Sequence, residues 1–290
     1  MGSEVGGISI LSTYFAPLVG SVAANIDAIL PGPEQAQLMG QSFSQRNQLA
    51  RQYLITDTDI HIPNIERIVV EKPLSGQLTL EILRRQRDFF KHNANPTPII
   101  VCDTDLLFFK SVSHLFDMNF DIAITRRHGN RTMPFNSGIF FVNNRTPNAG
   151  YRFWTLQVQT IERCFMNDAG WYGDQLVLTK IITDLATPVG KDMYEVDGLK
   201  ILVLDGDQYN FSPNREHSYL FLRPNVHVYH FKGRSREFMR YFYRFYISSE
   251  ERDIFTPLKI LFHSIRLELS RKKLKGLYLQ ARERLSPAAT

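Results

Sequence analysis

The segment Pro98-Ile-Ile-Val-Cys102 is wholly apolar and runs directly into two aspartates. A short apolar run of this kind is typical of a parallel strand that helices bury on both faces. Similar runs alternate with helical patterns along the chain, which predicts an α/β fold. The predicted strands are residues 8–16, 53–56, 65–70, 98–102, 121–125, 138–142, 201–204 and 226–229, and the predicted helices are residues 33–50, 79–90, 152–165 and 174–185.

The composition suits a globular protein of 290 residues. Apolar residues make up 43% of the chain, which excludes a disordered or collagen-like protein. Two cysteines are too few for a disulfide framework or a four-cysteine zinc site. No apolar run is long enough to span a membrane, and residues 1–7 lack the basic start of a secretory signal. We therefore expect a cytoplasmic protein.

The excess positive charge lies at the C-terminus. Residues 251–290 contain nine Lys/Arg and four acidic residues, which accounts for the whole formal net charge of +5. The rest of the chain is therefore neutral overall, and this argues against a nucleic-acid partner. We expect a catalytic domain over residues 1–235 and a helical, basic extension over residues 236–290. The sequence does not indicate an oligomeric state.

The extension combines apolar, aromatic and basic residues, and two interpretations remain open. Its apolar stripe packs on the catalytic domain, or the extension lies on an anionic membrane surface. The second interpretation would place a peripheral enzyme on the inner face of the membrane, near a lipid-linked acceptor. The stripe consists of Leu258, Leu261, Phe262, Ile265 and Leu269 at helical spacing, with an aromatic and basic cluster at residues 240–246 and Arg271-Lys-Lys273 on either side.

The acidic pair Asp103 and Asp105, separated by Thr104, follows the apolar strand directly. Ligands of open α/β sheets bind beyond the carboxyl ends of the strands. Two carboxylates this close repel each other unless a cation or a proton lies between them, and oxygen ligands suit a hard divalent ion. We predict a cation site here. Asp57-Thr-Asp59 follows residues 53–56 in the same manner and is a competing pair, or a plain solvated turn.

Four motifs in sequence order resemble those of GT-A glycosyltransferases near family 8, the group of glycogenin and the bacterial lipopolysaccharide galactosyl- and glucosyltransferases. The resemblance spans roughly residues 8–236. It rests on the D-x-D pair, on Phe135-Asn-Ser-Gly-Ile-Phe-Phe-Val-Asn143, on Gly173-Asp-Gln175 and on Val228-Tyr-His-Phe-Lys-Gly233. The resemblance implies a Rossmann-like sheet, a nucleotide-sugar donor such as a UDP-hexose, a saccharide or glycolipid acceptor, and retention of the anomeric configuration.

The resemblance also implies roles for individual residues. The metal ligands would be Asp103, Asp105 and His230, and imidazole together with carboxylates suits Mn²⁺ best, with Mg²⁺ as an alternative. Asp174 would grip sugar hydroxyls, and Gln175 would lie near the reacting carbon. The residues implied to bind the donor are Ser12, Thr13, Tyr14, Arg84, Arg87, Thr104, Asn136, Ser137, Lys232 and Gly233, with Arg234 and Arg236 as further candidates for the phosphates.

Two other classes of protein compete with the glycosyltransferase interpretation. Haloacid-dehalogenase-like phosphatases also place D-x-D after an apolar strand, and Asp205-Gly-Asp207 after residues 201–204 resembles their second acidic pair. However, Leu107 stands where they carry Thr or Val, and the Asn136 and His230 segments stay unexplained. A non-catalytic nucleotide- or carbohydrate-binding module would need no metal.

Overall fold

The computed structural model describes residues 7–15, 32–59, 61–72, 77–93, 98–168, 172–213 and 222–248, and residues 255, 258, 261, 262 and 265. The strands are β1 (Ile8–Tyr14), β2 (Leu49–Thr56), β3 (Glu66–Val69), β4 (Ile99–Cys102), β5 (Leu106–Phe108), β6 (Ile122–Arg126), β7 (Phe135–Val142), β8 (Thr187–Gly190), β9 (Met193–Val196), β10 (Leu199–Asp205) and β11 (Val228–His230). The helices are α1 (Gly32–Ser44), α2 (Leu78–His92), α3 (Ala149–Cys164), α4 (Gly173–Lys180), α5 (Gly206–Tyr209) and α6 (Met239–Phe242), with π-helical turns at Ile181–Leu185 and Tyr243–Ile247 and 3₁₀ turns at Ser113–Asp117, Met166–Asp168 and Gly233–Phe238.

Nine strands form one sheet in the order β3-β2-β1-β4-β7-β6-β10-β9-β8. Strands β1, β2, β3 and β4 pair in parallel, and β6 and β10 pair in parallel, while β7 is antiparallel to both β4 and β6. The carboxyl ends of β1, β4, β6 and β10 therefore meet at one edge, where β7 begins. The predicted α/β fold with a largely parallel sheet is confirmed.

Helices cover both faces of the sheet. On one face, Met39 and Phe43 of α1 belong to a buried cluster with Ile10, Ile100 and Phe108. On the other face, residues of α2, α3 and α4 pack against the same strands in a second cluster. Burying a large apolar side chain completely stabilises the fold by about 1.5–3 kcal/mol, so the two clusters hold the strand ends in place.

Helix α2 shows how well apolar spacing predicts a buried face. The pattern of residues 79–90 predicts a face formed by Leu80, Leu83, Gln86, Phe89 and Phe90, and all five side chains are buried. Gln86 is the polar member of this face, and both ends of its amide form hydrogen bonds: Oε1 accepts one from Trp154 Nε1 (2.7 Å) and Nε2 donates one to Thr13 Oγ1 (3.3 Å). Tertiary hydrogen bonds thus allow a polar residue on a core face.

Several elements differ from the sequence-based prediction, including the unpredicted strand β5 and the start of β2 at Leu49. The predicted helix over residues 33–50 ends at Ser44, because Leu49 already pairs with Ile8 in the sheet. Strand β7 begins at Phe135, three residues before the predicted start. The hairpin of β8 and β9 was not predicted, because its residues are mostly exposed and do not form an apolar run.

A small second sheet of β5 and β11 positions β11 against the acidic turn. His230 pairs with Leu106, and the backbone N–H of Phe231 donates to the carbonyl of Asp105 (2.8 Å). Each strand has only three residues, so the pairing depends on the buried side chains around it, including Phe108 and Tyr229. The pairing therefore brings His230 directly beside the turn after β4.

The segment after β11 packs on the body of the protein. Phe238, Met239, Phe242 and Phe245 are buried in the same cluster as α1, so the aromatic residues around position 242 form core. By contrast, the residues of the later stripe that are described, Leu258, Leu261, Phe262 and Ile265, are all exposed. Leu269, Arg271-Lys-Lys273 and Lys275 lie outside the described residues. No helix in the described part of the chain is both long and apolar enough to cross a membrane.

Candidate active site

The candidate site lies at the sheet edge where β4 ends and β7 begins. The turn after β4 carries Asp103 and Asp105, and β11 brings His230 beside them. His230 Nε2 lies 3.0 Å from Asp105 Oδ1 and 3.4 Å from Asp103 Oδ2. The structure therefore groups the three predicted metal ligands, and one ligand atom from each lies within 4.8 Å of the other two.

The donor set and its spacing fit a divalent cation. Cis ligands of an octahedral ion with bonds of about 2.1 Å lie about 3.0 Å apart, close to the two separations at His230 Nε2. Among the described residues, Asp105 Oδ1 finds no hydrogen-bond partner although it is buried. A buried carboxylate oxygen of this kind needs a positive partner. Imidazole with two carboxylates suits Mn²⁺, with Mg²⁺ as the alternative.

The two buried ligands are held in the charge states that metal binding requires. Burial, and then the positive charge of Lys232, lowers the pKa of His230 to about 4, so the imidazole is neutral at pH 7. Burial on its own would raise the pKa of Asp105, but Arg236 and His230 outweigh it and hold this pKa below its usual range. A neutral imidazole and an ionised carboxylate are both ready to coordinate a cation.

The side chain of Asp103 is 58% exposed. The surrounding protein, and then the charges of Asp105 and Asp174, raise the pKa of Asp103 above its usual range, while solvent still reaches the carboxylate. Crowding of three carboxylates at one place is unfavourable unless cations balance them. A bound cation would therefore offset the electrostatic repulsion between these acidic groups.

Two cations from the segment after β11 line the same site. Arg236 Nε donates to Asp105 Oδ2 (2.7 Å), which leaves Oδ1 as the oxygen that faces His230. Burial, and then the nearby Arg127, lowers the pKa of Lys232 to about 8, while Asp103 and two other aspartates oppose the shift. Gly233 follows with φ +54° and an open surface. Lys232 and Arg236 thus add positive charge beside the three aspartates.

Strand β7 and helix α4 bring further predicted site residues together. Ser137 Oγ donates a short hydrogen bond to Asp174 Oδ2, and Asp174 Oδ1 accepts from the backbone N–H of Gln175 (2.8 Å). Burial raises the pKa of Asp174, against the hydrogen bond from Ser137. In the described part of the chain Gln175 Oε1 is buried without a hydrogen-bond partner, whereas Asn136 Oδ1 accepts from the backbone N–H of Gly138 (3.1 Å).

The three predicted donor-binding residues at the end of β1 form hydrogen bonds and packing contacts within the protein. Ser12 Oγ donates to the carbonyl of Tyr53 (3.3 Å), and Thr13 Oγ1 accepts from Gln86. The ring of Tyr14 lies on the backbone of Gly32, where an added Cβ would approach the ring to 2.1 Å. Thr104 Oγ1, in the acidic turn itself, donates to Gln35 Oε1 (3.2 Å).

The two arginines predicted from α2 are engaged by carboxylates. Arg84 pairs with Glu81 and Glu162, each at 2.7 Å, and Arg87 pairs with the neighbouring Asp88 at 2.8 Å. The structure therefore does not bring these side chains into contact with the cluster around Asp105.

The competing acidic pairs have different surroundings. Asp59 pairs with Arg67, and among the described residues the pair at 57 and 59 belongs to no group of three metal-binding side chains. Asp205 and Asp207 form a separate group with His128, whose Nε2 lies 2.9 Å from Asp205 Oδ1. The second acidic pair of the phosphatase interpretation is thus grouped with His128 and not with the D-x-D turn, which does not favour that interpretation.

Comparison with solved structures identifies the fold. The glycosyltransferase GlyE from Streptococcus pneumoniae TIGR4 matches with a TM-score of 0.50 and 16% identity, over 91% of this chain and 64% of that one. The chain has a GT-A glycosyltransferase fold. The galactosyltransferase LgtC, solved in complex with donor and acceptor sugar analogs, matches at 14% identity (TM-score 0.47, over 78% of this chain and 87% of that one).

A third GT-A match is a glycosyltransferase involved in the glycosylation of the major capsid of PBCV-1, at 13% identity (TM-score 0.47, over 81% of this chain and 98% of that one). The chain therefore spans less than two thirds of the GlyE structure but most of the other two. No protein-family profile matches the sequence, and no curated protein is similar to it in sequence. The expected GT-A fold is confirmed, and its chemistry depends on the site itself.

Two residues at the GT-A site had no prior signal in the sequence. Asn210, directly after α5, contacts His230, and Arg127, after β6, lies within electrostatic reach of Asp174 and Lys232. Neither belongs to a motif that would predict a place beside His230 or Lys232. Arg236 was one of three equivalent basic candidates, and only its contact with Asp105 distinguishes it.

Proposed function

We propose that this chain is a metal-dependent glycosyltransferase that moves a sugar from a UDP-hexose to a hydroxyl of a saccharide or glycolipid acceptor. The observation that carries the proposal is the convergence of Asp103, Asp105 and His230 at the carboxyl edge of a GT-A sheet. These three side chains would hold Mn²⁺, or Mg²⁺, against the diphosphate of the donor. The bound cation would supply stabilisation of the negative charge that develops on the diphosphate.

The protein's own cations complement this stabilisation. In the transfer, the bond between the sugar C1 and a diphosphate oxygen breaks, and the electron pair stays on the diphosphate. Lys232 and Arg236 lie beside the acidic cluster, where they offer a point charge and a guanidinium fork to the leaving phosphate. Arg236 also orients Asp105 through a hydrogen bond. The same guanidinium would therefore hold the carboxylate in place and bind the phosphate.

The sugar is held by the residues at the start of β7 and α4. Asp174, fixed by Ser137, would accept hydrogen bonds from sugar hydroxyls, and Gln175 Oε1 is buried and in need of a partner. We propose retention: the acceptor hydroxyl attacks C1 on the face from which the diphosphate leaves. The new bond joins C1 to the acceptor oxygen, and the acceptor proton passes to the departing diphosphate oxygen.

The C-terminal stripe supports a membrane-associated acceptor. Leu258, Leu261, Phe262 and Ile265 are exposed, and the sequence beyond them is rich in Lys and Arg. An exposed apolar stripe with basic neighbours favours binding to an anionic bilayer. We expect co-sedimentation with phosphatidylglycerol vesicles that weakens with salt and is lost in the double variant Leu261→Glu/Ile265→Glu. Equal binding of wild type and double variant, or indifference to lipid charge, would contradict the membrane proposal.

The central experiment measures nucleotide release from a panel of nucleotide-sugars, with Mn²⁺ or with chelator. We expect Mn²⁺-dependent UDP release that falls by at least about 100-fold in Asp105→Asn, because the buried ligand charge is lost. Asp57→Asn is the matched control, and its activity should equal that of the wild type. Tight UDP binding in chelator without turnover would indicate a binding module, and release of phosphate from aryl phosphates would indicate a phosphatase.

A further inference from the structure

A chain of buried hydrogen bonds connects the sheet to the candidate metal ligand. Thr125 Oγ1, on β6, donates to the backbone carbonyl of Asn136 (3.4 Å), which leaves its lone pairs available. Asn210 Nδ2 donates to Thr125 Oγ1 (2.8 Å), so its amide oxygen points the other way. That oxygen lies 2.8 Å from His230 Nδ1. The directions are consistent from one residue to the next when His230 Nδ1 carries the proton.

The opposite nitrogen of the same ring faces the carboxylates. Nε2 of His230 lies 3.0 Å from Asp105 Oδ1, yet within the described residues that oxygen has no hydrogen-bond partner. The outward direction of Nε2, along which either a proton or a lone pair would lie, therefore passes beside Asp105 Oδ1, and Asp103 Oδ2 lies 3.4 Å from the same nitrogen. A neutral imidazole carries its ligand lone pair on whichever nitrogen lacks the proton.

We propose that Asn210 is a positioning residue that keeps the His230 proton on Nδ1, so that the Nε2 lone pair faces Asp103 and Asp105. This inference rests on the proposed function, because it concerns the ligand set of the same site. Without Asn210, no acceptor holds the proton on Nδ1, and a small rotation of the ring would direct an Nε2–H to the carboxylate of Asp105. The ring would then act as a hydrogen-bond donor and would no longer be a ligand.

The test measures the ¹⁵N chemical shifts of the His230 imidazole in the metal-free protein and the Kd for Mn²⁺. In the wild type we expect a protonated Nδ1 and an unprotonated Nε2. In Asn210→Leu the proton should move to Nε2, and the Kd for Mn²⁺ should rise by roughly 10- to 100-fold. Thr125→Val keeps Asn210 but removes the hydroxyl that accepts a hydrogen bond from Asn210 Nδ2. This variant should change the tautomer and the Kd in the same direction, but by less.

The control is Asn143→Leu, because Asn143 is also buried and donates to two backbone carbonyls, those of Phe116 and Met118. It should lower the stability of the fold without changing the His230 shifts or the Mn²⁺ affinity. A protonated Nε2 in the wild type overturns the inference even if every variant fails to fold, and so does an unchanged tautomer in Asn210→Leu. The tautomer is measured without metal or donor, so a wild type that binds no Mn²⁺ and releases no UDP refutes the proposed function separately.

Discussion

Gly138 lies directly against the imidazole of His230. A Cβ at position 138 would approach His230 Cε1 to 2.3 Å and Asp103 Oδ2 to 3.1 Å, so any side chain there must displace a candidate metal ligand. The backbone carbonyl of Gly138 also accepts a hydrogen bond from the backbone N–H of Asp103 (3.0 Å). The glycine of the Asn-Ser-Gly segment is thus part of the candidate cation site, because only a residue without a side chain leaves room for the ring.

Gly138→Ala should therefore weaken Mn²⁺ binding by at least about tenfold, because the ring must move out of line with the carboxylates. Isothermal titration of the metal-free protein with Mn²⁺ measures this change. Gly190→Ala is the matched control: a Cβ there meets only Met193, at 3.6 Å, and the Mn²⁺ affinity should equal that of the wild type. An unchanged affinity in Gly138→Ala would contradict the placement of His230 in the site.

Arg236→Met should weaken UDP binding by about 10- to 100-fold, because a charge-assisted hydrogen bond to phosphate and the orientation of Asp105 are lost together. Arg236→Lys should recover part of the affinity, since it restores the charge without the fork. Calorimetry in the presence of Mn²⁺ provides the measurement. Arg240→Met is the control, because Arg240 pairs with Glu34 instead. Equal losses in both variants would exclude a specific phosphate role for Arg236.

Asp174→Asn should lower kcat for sugar transfer by about 100- to 1000-fold while the Mn²⁺ and UDP affinities stay near those of the wild type. The reason is that Asp174 contacts Ser137 on the sugar side and is not among the three metal-binding side chains. Ser137→Ala should cause a smaller loss. Steady-state kinetics together with UDP titrations separate the two effects, and Asp184→Asn, on the exposed end of the same helical segment, serves as control.

Mn²⁺ should raise the thermal stability of the wild type, because a ligand that binds only the folded state stabilises it. At a concentration of 100 times its Kd the gain is about 2.7 kcal/mol. Thermal unfolding with and without Mn²⁺ measures the shift in Tm, and chelator should reverse it. In Asp105→Asn the shift should vanish, and an undiminished shift in that variant would place the bound ion elsewhere.

Phe242→Ala should lower the free energy of unfolding by about 3–5 kcal/mol, because the ring is fully buried against Tyr229 of β11 and the adjacent Phe231. Chemical denaturation measures the change. Phe262→Ala removes the same side chain at an exposed position, and its effect should stay within about 0.5 kcal/mol. Similar small effects at both positions would show that the segment around Phe242 is not part of the core.

Local patterns in the sequence were sufficient to predict the fold class and part of the site. The alternation of apolar runs with helical spacing predicts the sheet, because a strand or helix that is buried on one or both faces carries apolar residues at regular spacing. Asp103 and Asp105 could be placed at a strand end for the same reason. The hairpin of β8 and β9 was not predicted, because strands that are largely exposed do not need apolar residues at regular spacing.

The family resemblance already implied His230 as a ligand, but only the tertiary structure shows how distant residues reach the acidic turn and which of the basic candidates contacts it. His230 reaches Asp105 through the pairing of β5 with β11, and Arg236 contacts the same carboxylate across 131 positions of the chain. Asn210 and Gly138 acquire their roles from the ring that they touch, and Arg84 is held by Glu162 of another helix. Such contacts depend on the register of paired strands and the packing of helices, which bring together residues that share no local pattern.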